Sequence, residues 1–389
     1  MNINSINNIK PCTSCQMCYA VCPKNSITIK LDNNGFYSPE INNASCIDCG
    51  ICVKFCYKFD DAITLTSQQE LKNISLYAAS AKEDDLVANT TSGGIADLLA
   101  KELIEQGYSV IGVTYDYEKD RAVSRIATNK QETDGFRGSK YIQSFTAEAF
   151  KEFVLNCKKQ KFAVFGLPCH IYAINKYLSK HNLRDNCILI DLYCHGCPSM
   201  FVWDKVKTKI KKKLNVDRFD DVNFRGKSKG WGQFVLEARA GKKKYHSTPI
   251  HNEFYDLFFS NLVLNESCED CLLRSTLAYT DIRLGDFWGK LFRRTSRGVS
   301  AVSVVTKRGE EIIEKIENSI SAQKLSHDVF IHYQSWGHKY QINYKLRDLL
   351  LNMLQGEKSI EDIATVLNRK LSLKQRVKKV LKSIYYFFI

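Results

Sequence analysis

The sequence predicts a small α+β module followed by a larger α/β region, and three observations carry that reading. Two runs of four cysteines crowd the first 56 residues. A pair of short β-type segments around Asn34-Gly35 lies between the runs. Beyond Ser67, buried-type strands alternate with amphipathic helices.

The first run is Cys12, Cys15, Cys18 and Cys22, followed by Pro23, and Cys46, Cys49, Cys52 and Cys56 repeat its rhythm. This is the bacterial spacing for two 4Fe-4S clusters: three closely spaced thiolates wrap one cubane, and the fourth reaches the other. The expected sets are therefore Cys12, Cys15, Cys18 with Cys56, and Cys46, Cys49, Cys52 with Cys22. The module is ferredoxin-like, and such a module passes single electrons. Zinc sites use paired Cys-x2-Cys spacings and four ligands per ion, which fits two runs of four poorly. The second run lacks the trailing proline, since Tyr57 stands there. No Cys-x3-Cys-x2-Cys motif points to a radical cluster that cleaves S-adenosylmethionine. Between the runs, Ser26 to Leu31 reads as a strand, Asn34-Gly35 as a hairpin turn and Phe36 to Ile41 as the return strand. Ala62 to Thr66 reads as a further short strand.

A chain of 389 residues suggests two or three domains. The expected divisions are 1–66, 67–160, 161–345 and a helical basic tail at 346–389. No apolar run approaches the roughly 18–20 residues that span a bilayer. The first ten residues offer no apolar signal core, and the many thiols suit a reducing cytoplasm. The net charge is +14. Residues 369–382 hold seven of these cations and no acid, ahead of the aromatic end Ile384-Tyr385-Tyr386-Phe387-Phe388-Ile389. A solvated helix is the plain reading, and contact with an anionic membrane surface is the other. Lys205 to Lys213 reads as the outer face of a helix, and no nucleic-acid-binding motif is visible.

In the larger region, Thr90-Thr91-Ser92-Gly93-Gly94 opens a helix with the apolar face Ile95, Leu98, Leu99 and Leu103, and Tyr108 to Tyr115 follows as a strand. A glycine turn before a helix N-terminus favours phosphate, although alone it is more often just a turn. Two later segments share one plan. The strand Phe162 to Phe165 runs into Cys169-His170 and a helix from about Ile171. The strand Cys187 to Leu192 runs into Cys194-His195-Gly196-Cys197 and a helix from about Ser199. If the strands are parallel neighbours, both cysteines emerge at the ligand-binding edge of the sheet. With Cys268 and Cys271 they suggest a third metal site, Cys197 competing with Cys194. Spacing alone leaves a cluster, zinc and scattered thiols open. Cys157 and Cys187 read as core thiols.

Together these segments resemble the family of deazaflavin-coenzyme hydrogenase and dehydrogenase beta subunits. The matching pieces are Thr91-Ser92-Gly93-Gly94, Gly138-Ser139-Lys140-Tyr141, Gly166-Leu167-Pro168-Cys169, Cys194-His195-Gly196, Cys268-x2-Cys271 and Asp281-x3-Gly285-Asp286-x-Trp288-Gly289. They run in order over residues 80–310. Hydroxymethyl-chlorophyll reductase looks like a relative with similar parts. The resemblance implies that the larger α/β region binds flavin. Ser92, Gly93, Gly94, Ser139, Lys140 and Tyr141 would then line FAD. Cys169, Cys194, Cys268 and Cys271 would hold a third cluster, with Cys197 leaving the choice open. His170 departs from the glutamine expected there.

The expected function is an iron–sulfur flavoprotein oxidoreductase. It would pass electrons from a ferredoxin or other low-potential donor, through the clusters to FAD, and on to a small organic substrate. His195, Asp286 and Trp288 are the candidates beside that substrate. The alternative is an electron-relay beta subunit of a larger hydrogenase or dehydrogenase complex using a deazaflavin coenzyme. The substrate and the direction of electron flow are not written in the sequence.

Overall fold

A computed structural model of the chain describes residues 2–4, 10–248, 252–289, 292, 295 and 297–370. The basic, aromatic-ended segment beyond Lys370 lies outside the described residues.

The N-terminal module is built twice from one turn. Ser14 and Gln16 in the first run, and Asp48 and Gly50 in the second, all have positive φ, so the left-handed residues repeat with the cysteines. Each pair feeds a one-turn helix, Met17–Ala20 or Ile51–Lys54. Where the second run uses glycine, the first uses Gln16, and its side chain does a second job. Gln16 Oε1 accepts the backbone N–H groups of Thr146 and Ala147 at 2.8 and 3.0 Å, at the start of helix Ala147–Asn156. Its Nε2 donates to Ser144 O at 2.9 Å. Bonds to the neighbouring region thus offset the left-handed strain. Strands β1 (Ile27–Leu31) and β2 (Tyr37–Ile41) pair antiparallel around Gly35, whose φ is +79°. The expected strand at Ala62 to Thr66 is not one. Thr66 N–H donates to Ser275 O and Thr64 N–H to the Tyr279 hydroxyl, so the segment lies along residues 275–279 without forming a ladder.

The larger region centres on a nine-stranded mixed sheet. Its strands are β3 (Ser75–Ala81), β4 (Ser109–Asp116), β5 (Arg121–Ala127), β6 (Ser144–Phe145), β7 (Phe162–Phe165), β8 (Cys187–Leu192), β12 (Ile282–Asp286), β13 (Ser300–Val304) and β14 (Ile320–Lys324). Strands β9 (Asp221–Gly226), β10 (Val235–Ala240) and β11 (Lys243–His246) form a separate antiparallel sheet. The large sheet runs β14-β3-β13-β12-β8-β7-β4-β5-β6. Its centre, β12-β8-β7-β4, is parallel. That follows from sequence: Phe162–Phe165 is a continuous apolar run, and Cys187–Leu192 is broken only by Asp191, which is buried and bonded to Arg283, as suits strands covered on both faces. One face packs on helices Ala147–Asn156 and Pro168–Lys180, and the other on Ile95–Glu105 and Lys307–Lys315. Because β3 and β12 flank β13 antiparallel, the carboxyl ends of β3, β12, β8 and β7 all reach one edge.

The N-terminal module shares the core of the larger region. Cys15, Met17, Ala20, Val21, Phe55 and Tyr57 pack with Phe150, Phe153, Ile171 and Tyr172. Gln143 ties the β1–β2 turn down, accepting from Tyr37 N–H at 3.1 Å and donating to Gly35 O at 2.8 Å. Helix Met200–Leu214 buries Val206 and Ile210 and turns Lys209 and Lys211 toward Glu253 and Asp120, so the lysine-rich stretch is an ion-paired outer face. Cys157 and Cys187 are wholly buried core thiols. None of the fifteen cysteines is in a disulfide.

Candidate functional site

The thiols gather in three places. One hollow is lined by Cys12, Cys15, Cys18 and Cys56, together with Phe55, Tyr37 and Ile29. A second is lined by Cys22, Cys46, Cys49 and Cys52, with Pro23, Ile27 and Ile41. In each, three cysteines of one run meet the fourth of the other. Backbone N–H groups already point at sulfur, Ser14 toward Cys12 at 3.5 Å and Ser26 toward Cys22 at 3.3 Å. Burial pushes the Cys56 thiol up to about 12, and Cys15 and Cys12 facing it add to the rise. Such a set favours protons over anions until a cationic centre binds it, and iron supplies one. Cys49 is exposed whereas Cys15 and Cys18 are buried, so the second hollow is the outer one and the first the inner.

The third place is the sheet edge. Cys169 follows β7 and Cys194 follows β8. Cys169 belongs to the first turn of its helix, which starts at Pro168 rather than at Ile171 as the sequence suggested. Proline is pre-shaped for a first helical position, which explains the earlier start. Burial raises the Cys169 thiol well above its ordinary value, and Cys15, Cys197, Cys194 and Cys271 all add to it. Cys197 likewise feels Cys194, Cys268 and Cys271. Cys169 and Cys271 also pack against the core cluster that contains Cys15 of the inner hollow, so the five thiols gather at the edge nearest that hollow. Among the described residues no three potential ligands converge as a single ion would need. A cubane, with a metal atom at each ligated corner, takes its thiolates further apart than one zinc ion does.

Both ring nitrogens of His195 have partners in this arrangement. Its Nε2 meets Asn261 Oδ1 at 2.8 Å and its Nδ1 the Tyr340 hydroxyl at 3.2 Å. The ring packs on Phe258 and Tyr340, and burial lowers its pKa to about 4. His170 is also buried, lowered to about 4 by desolvation, with its ring edge against Phe150.

The glycine turn and the Gly138–Tyr141 loop abut, since Ser139 N–H donates to Thr91 Oγ1 at 2.7 Å. Ser92 Oγ donates to Val299 O, and Gly93 N–H to Ser300 Oγ. Gly93 has no room for a side chain: a Cβ would lie 2.4 Å from Ala79 O and 2.9 Å from Ser300 N. Gly94 needs its freedom for φ +83° at the start of helix Ile95–Glu105. The turn's glycines are thus explained by packing and backbone before any ligand is invoked.

Two lysines mark this region. Lys140 Nζ donates to the carbonyls of Gly135, Phe136 and Arg137. Lys227 Nζ donates to those of Val87, Ser92 and Arg297. Among the described residues neither ammonium is ion-paired with a carboxylate. Desolvation lowers Lys140 to about 7 and Lys227 to about 8. A desolvated cation without an anion is costly and is relieved by an anionic ligand. Each ammonium spends its donors on three main-chain carbonyls, so each has charge but no spare donor to offer an anion.

The sign of the Lys140 effect is testable. Its folded pKa lies below its unfolded one, so the unfolded chain binds more protons between about pH 7 and about pH 10.4. Relative to a Lys140→Met variant, the wild type should gain stability as pH rises through that window, read from urea midpoints at pH 7 and 9. Equal pH dependence in both proteins would refute it.

Asp286 is held by Arg225, Nη1 to Oδ2 at 2.9 Å, and the same Nη1 reaches the Tyr141 hydroxyl at 2.9 Å. Arg225 lies 3.8 Å from the Phe234 ring centroid. Trp288 stacks on Trp231 at 4.6 Å. The structure thus joins Tyr141, Asp286 and Trp288 through Arg225. His195 lies one ring away, packed on Phe258, which Tyr141 also meets. Arg225 and Lys227 were missed from sequence. The one available signal was an arginine standing between the apolar Phe224 and Gly226 inside a strand-like run.

Comparison with known proteins adds the following. Residues 76–151 and 159–327 match the N-terminal and C-terminal halves of the family described as coenzyme F420 hydrogenase/dehydrogenase, beta subunit. Residues 11–62 match a 4Fe-4S dicluster domain. One of the F(420)H(2) dehydrogenase subunits of Methanosarcina mazei is 26% identical over 303 residues, covering 74% of this chain and 80% of that protein. The coenzyme F420 hydrogenase subunit beta of Methanococcus voltae is 24% identical over 250 residues, covering 60% and 81%. A chain of the F420-reducing [NiFe] hydrogenase complex from Methanosarcina barkeri superposes with a TM-score of 0.46 at 15% identity, over 79% of this chain and 93% of that one. Among the described residues no helix is long and apolar enough to cross a membrane.

Proposed function

The chain belongs to the family of coenzyme F420 hydrogenase/dehydrogenase beta subunits, and from that premise we propose that it is the electron-relay subunit of a larger oxidoreductase assembly. It carries a 4Fe-4S dicluster domain and is an iron–sulfur electron-transfer protein of an oxidoreductase family. The observation that carries the relay reading is the serial placement of its thiols: exposed Cys49, then the inner set with Cys15 and Cys18 buried, then Cys169 packed against the core cluster that contains Cys15. A stand-alone reductase that completes the chemistry in this one chain was the first expectation from sequence. The two named relatives are both subunits, which favours the relay.

When bound, clusters in these sets would exchange single electrons, and a flavin at the glycine turn would let them be handed on in pairs. The chain's own residues do the rest. Cys22, Cys46, Cys49 and Cys52 hold the outer group, and Cys12, Cys15, Cys18 and Cys56 the inner one. Cys169, Cys194, Cys268 and Cys271 hold the third, with Cys197 within the same set. Phe55 is buried and lines the inner hollow, where it keeps water from that set. Lys140 and Lys227 offset anionic charge beside Ser92, Gly93 and Gly94, and Ser139 fixes the second wall through Thr91. Arg225 and Asp286 set the floor under Trp288. The half-exposed outer end suits a ferredoxin or similar soluble donor.

Native purification under anaerobic conditions tests the relay: the chain should travel with other subunits, and a monomer or homodimer that turns over a substrate alone would sink it. Iron analysis tests the third set. About twelve atoms per chain are expected with three cubanes, against about eight with two. Cys268→Ala should lower iron by about four and leave the N-terminal signals unchanged. Flavin released on denaturation tests the glycine turn.

A further inference from the structure

We propose that the buried guanidinium of Arg274 is the fixed counter-charge of the third cysteine set and sets the reduction potential of the cluster held there. The inference rests on the reading that this set holds a cluster. Arg274 is only 4% exposed and sits three residues beyond Cys271, its N–H bonded to Cys271 O at 3.1 Å. Its Nε donates to Cys194 O at 3.2 Å and its Nη2 to His195 O at 2.6 Å, so the head group lies against the loop that carries two of the five thiols. Its Nη1 donates to His338 O at 2.9 Å, and the group lies over the Tyr340 ring at 4.5 Å.

All of these partners are neutral. Among the described residues no carboxylate is ion-paired with Arg274. The other guanidinium at this edge, Arg283, is instead neutralised by Asp191, Nε to Oδ1 at 2.7 Å. A buried cation without an anion is expensive unless something negative shares its surroundings. Thiolates of the third set would provide that. Reduction adds one electron, and so one negative charge, to a cluster in a site where water screens little. A fixed cation favours that reduced state.

A tether that merely joins residues 194–195 to 338–340 is the rival role, and a potential separates the two. Arg274→Gln removes the charge, whereas Arg274→Lys keeps it but cannot reproduce the three-carbonyl fork. Redox titration followed by electron paramagnetic resonance should show the third cluster of Arg274→Gln roughly tenfold harder to reduce. That corresponds to about 59 mV for one electron. Arg274→Lys should stay near wild type, as should the two N-terminal clusters in both variants. An unshifted Arg274→Gln, or an Arg274→Lys that falls as far as Arg274→Gln, overturns the proposal. If Arg274→Gln loses the third cluster's iron, Arg274→Lys decides: a potential near wild type supports the proposal, and one lowered by about 59 mV overturns it. Wild-type protein with about eight irons and no third redox couple removes the premise itself, before any variant is compared.

Discussion

Cys56→Ala should empty the inner hollow and leave the outer one loaded, although Cys56 belongs to the second run. Cys56 follows the one-turn helix Ile51–Lys54, and buried Phe55 turns the chain inward, so its thiol lines the hollow of Cys12, Cys15 and Cys18. Iron should fall by about four atoms per chain. Pairs of substitutions make the test sharp. Two changes in one set remove the same cluster, so Cys12→Ala with Cys56→Ala should cost about four irons in all. Cys46→Ala with Cys56→Ala strikes both sets and should cost about eight. If each run held its own cluster, those two results would be exchanged. The consequence for electron transfer is large as well. The inner set stands between exposed Cys49 and the third set, so a chain without it should deliver no electrons from an external donor to the third site.

Some of this was legible because it depends on local spacing. The repeat of the cysteine runs reappears as a repeat of left-handed residues, Ser14 with Asp48 and Gln16 with Gly50. Phe162–Phe165 is apolar throughout, and Cys187–Leu192 is apolar but for Asp191, because both faces of those central strands are covered, and their shared strand–cysteine–helix plan brings Cys169 and Cys194 to one edge. Other features depend on partners distant in sequence. Ala62 to Thr66 alternates like a strand but spends its bonds on Ser275 and Tyr279, which no local pattern announces. His195 looked available beside a cysteine, yet Asn261 and Tyr340 occupy both ring nitrogens. The Ser-Gly-Gly turn suggested a ligand, whereas Gly93 is forced to be glycine by the backbones of β3 and β13. Arg225 and Arg274 are buried charges, and whether such a charge is paired or spare becomes visible only when the neighbouring strands are assembled.

Asp281→Ala is expected to cost about 3–5 kcal/mol, a large share of the 5–15 kcal/mol typical of a whole domain. Asp281 is fully buried just ahead of β12. Its Oδ2 accepts from Arg184 Nη2 and from the backbone N–H of Leu189 in β8, both at 2.8 Å. Its Oδ1 accepts from Thr306 Oγ1 at 2.7 Å, and Thr306 caps helix Lys307–Lys315. One carboxylate thus pins β8, the entry to β12 and a covering helix. Alanine would strand a buried N–H and leave two guanidinium groups, Arg184 and Arg308, without their shared anion. Asp281→Asn keeps an acceptor for Leu189 and loses only the charge, so roughly 1–3 kcal/mol is expected. Urea unfolding of the cluster-loaded protein measures both, and an alanine variant within about 0.5 kcal/mol of wild type would refute the account. The damage should also reach the site. β8 leads to Cys194 and β12 ends at Asp286, so a slip between them alters the spacing of Cys194 from Cys169 and of Asp286 from Arg225. Iron in the third set should therefore fall in Asp281→Ala while the N-terminal module, which is anchored through Gln16 and Gln143 instead, keeps both of its clusters.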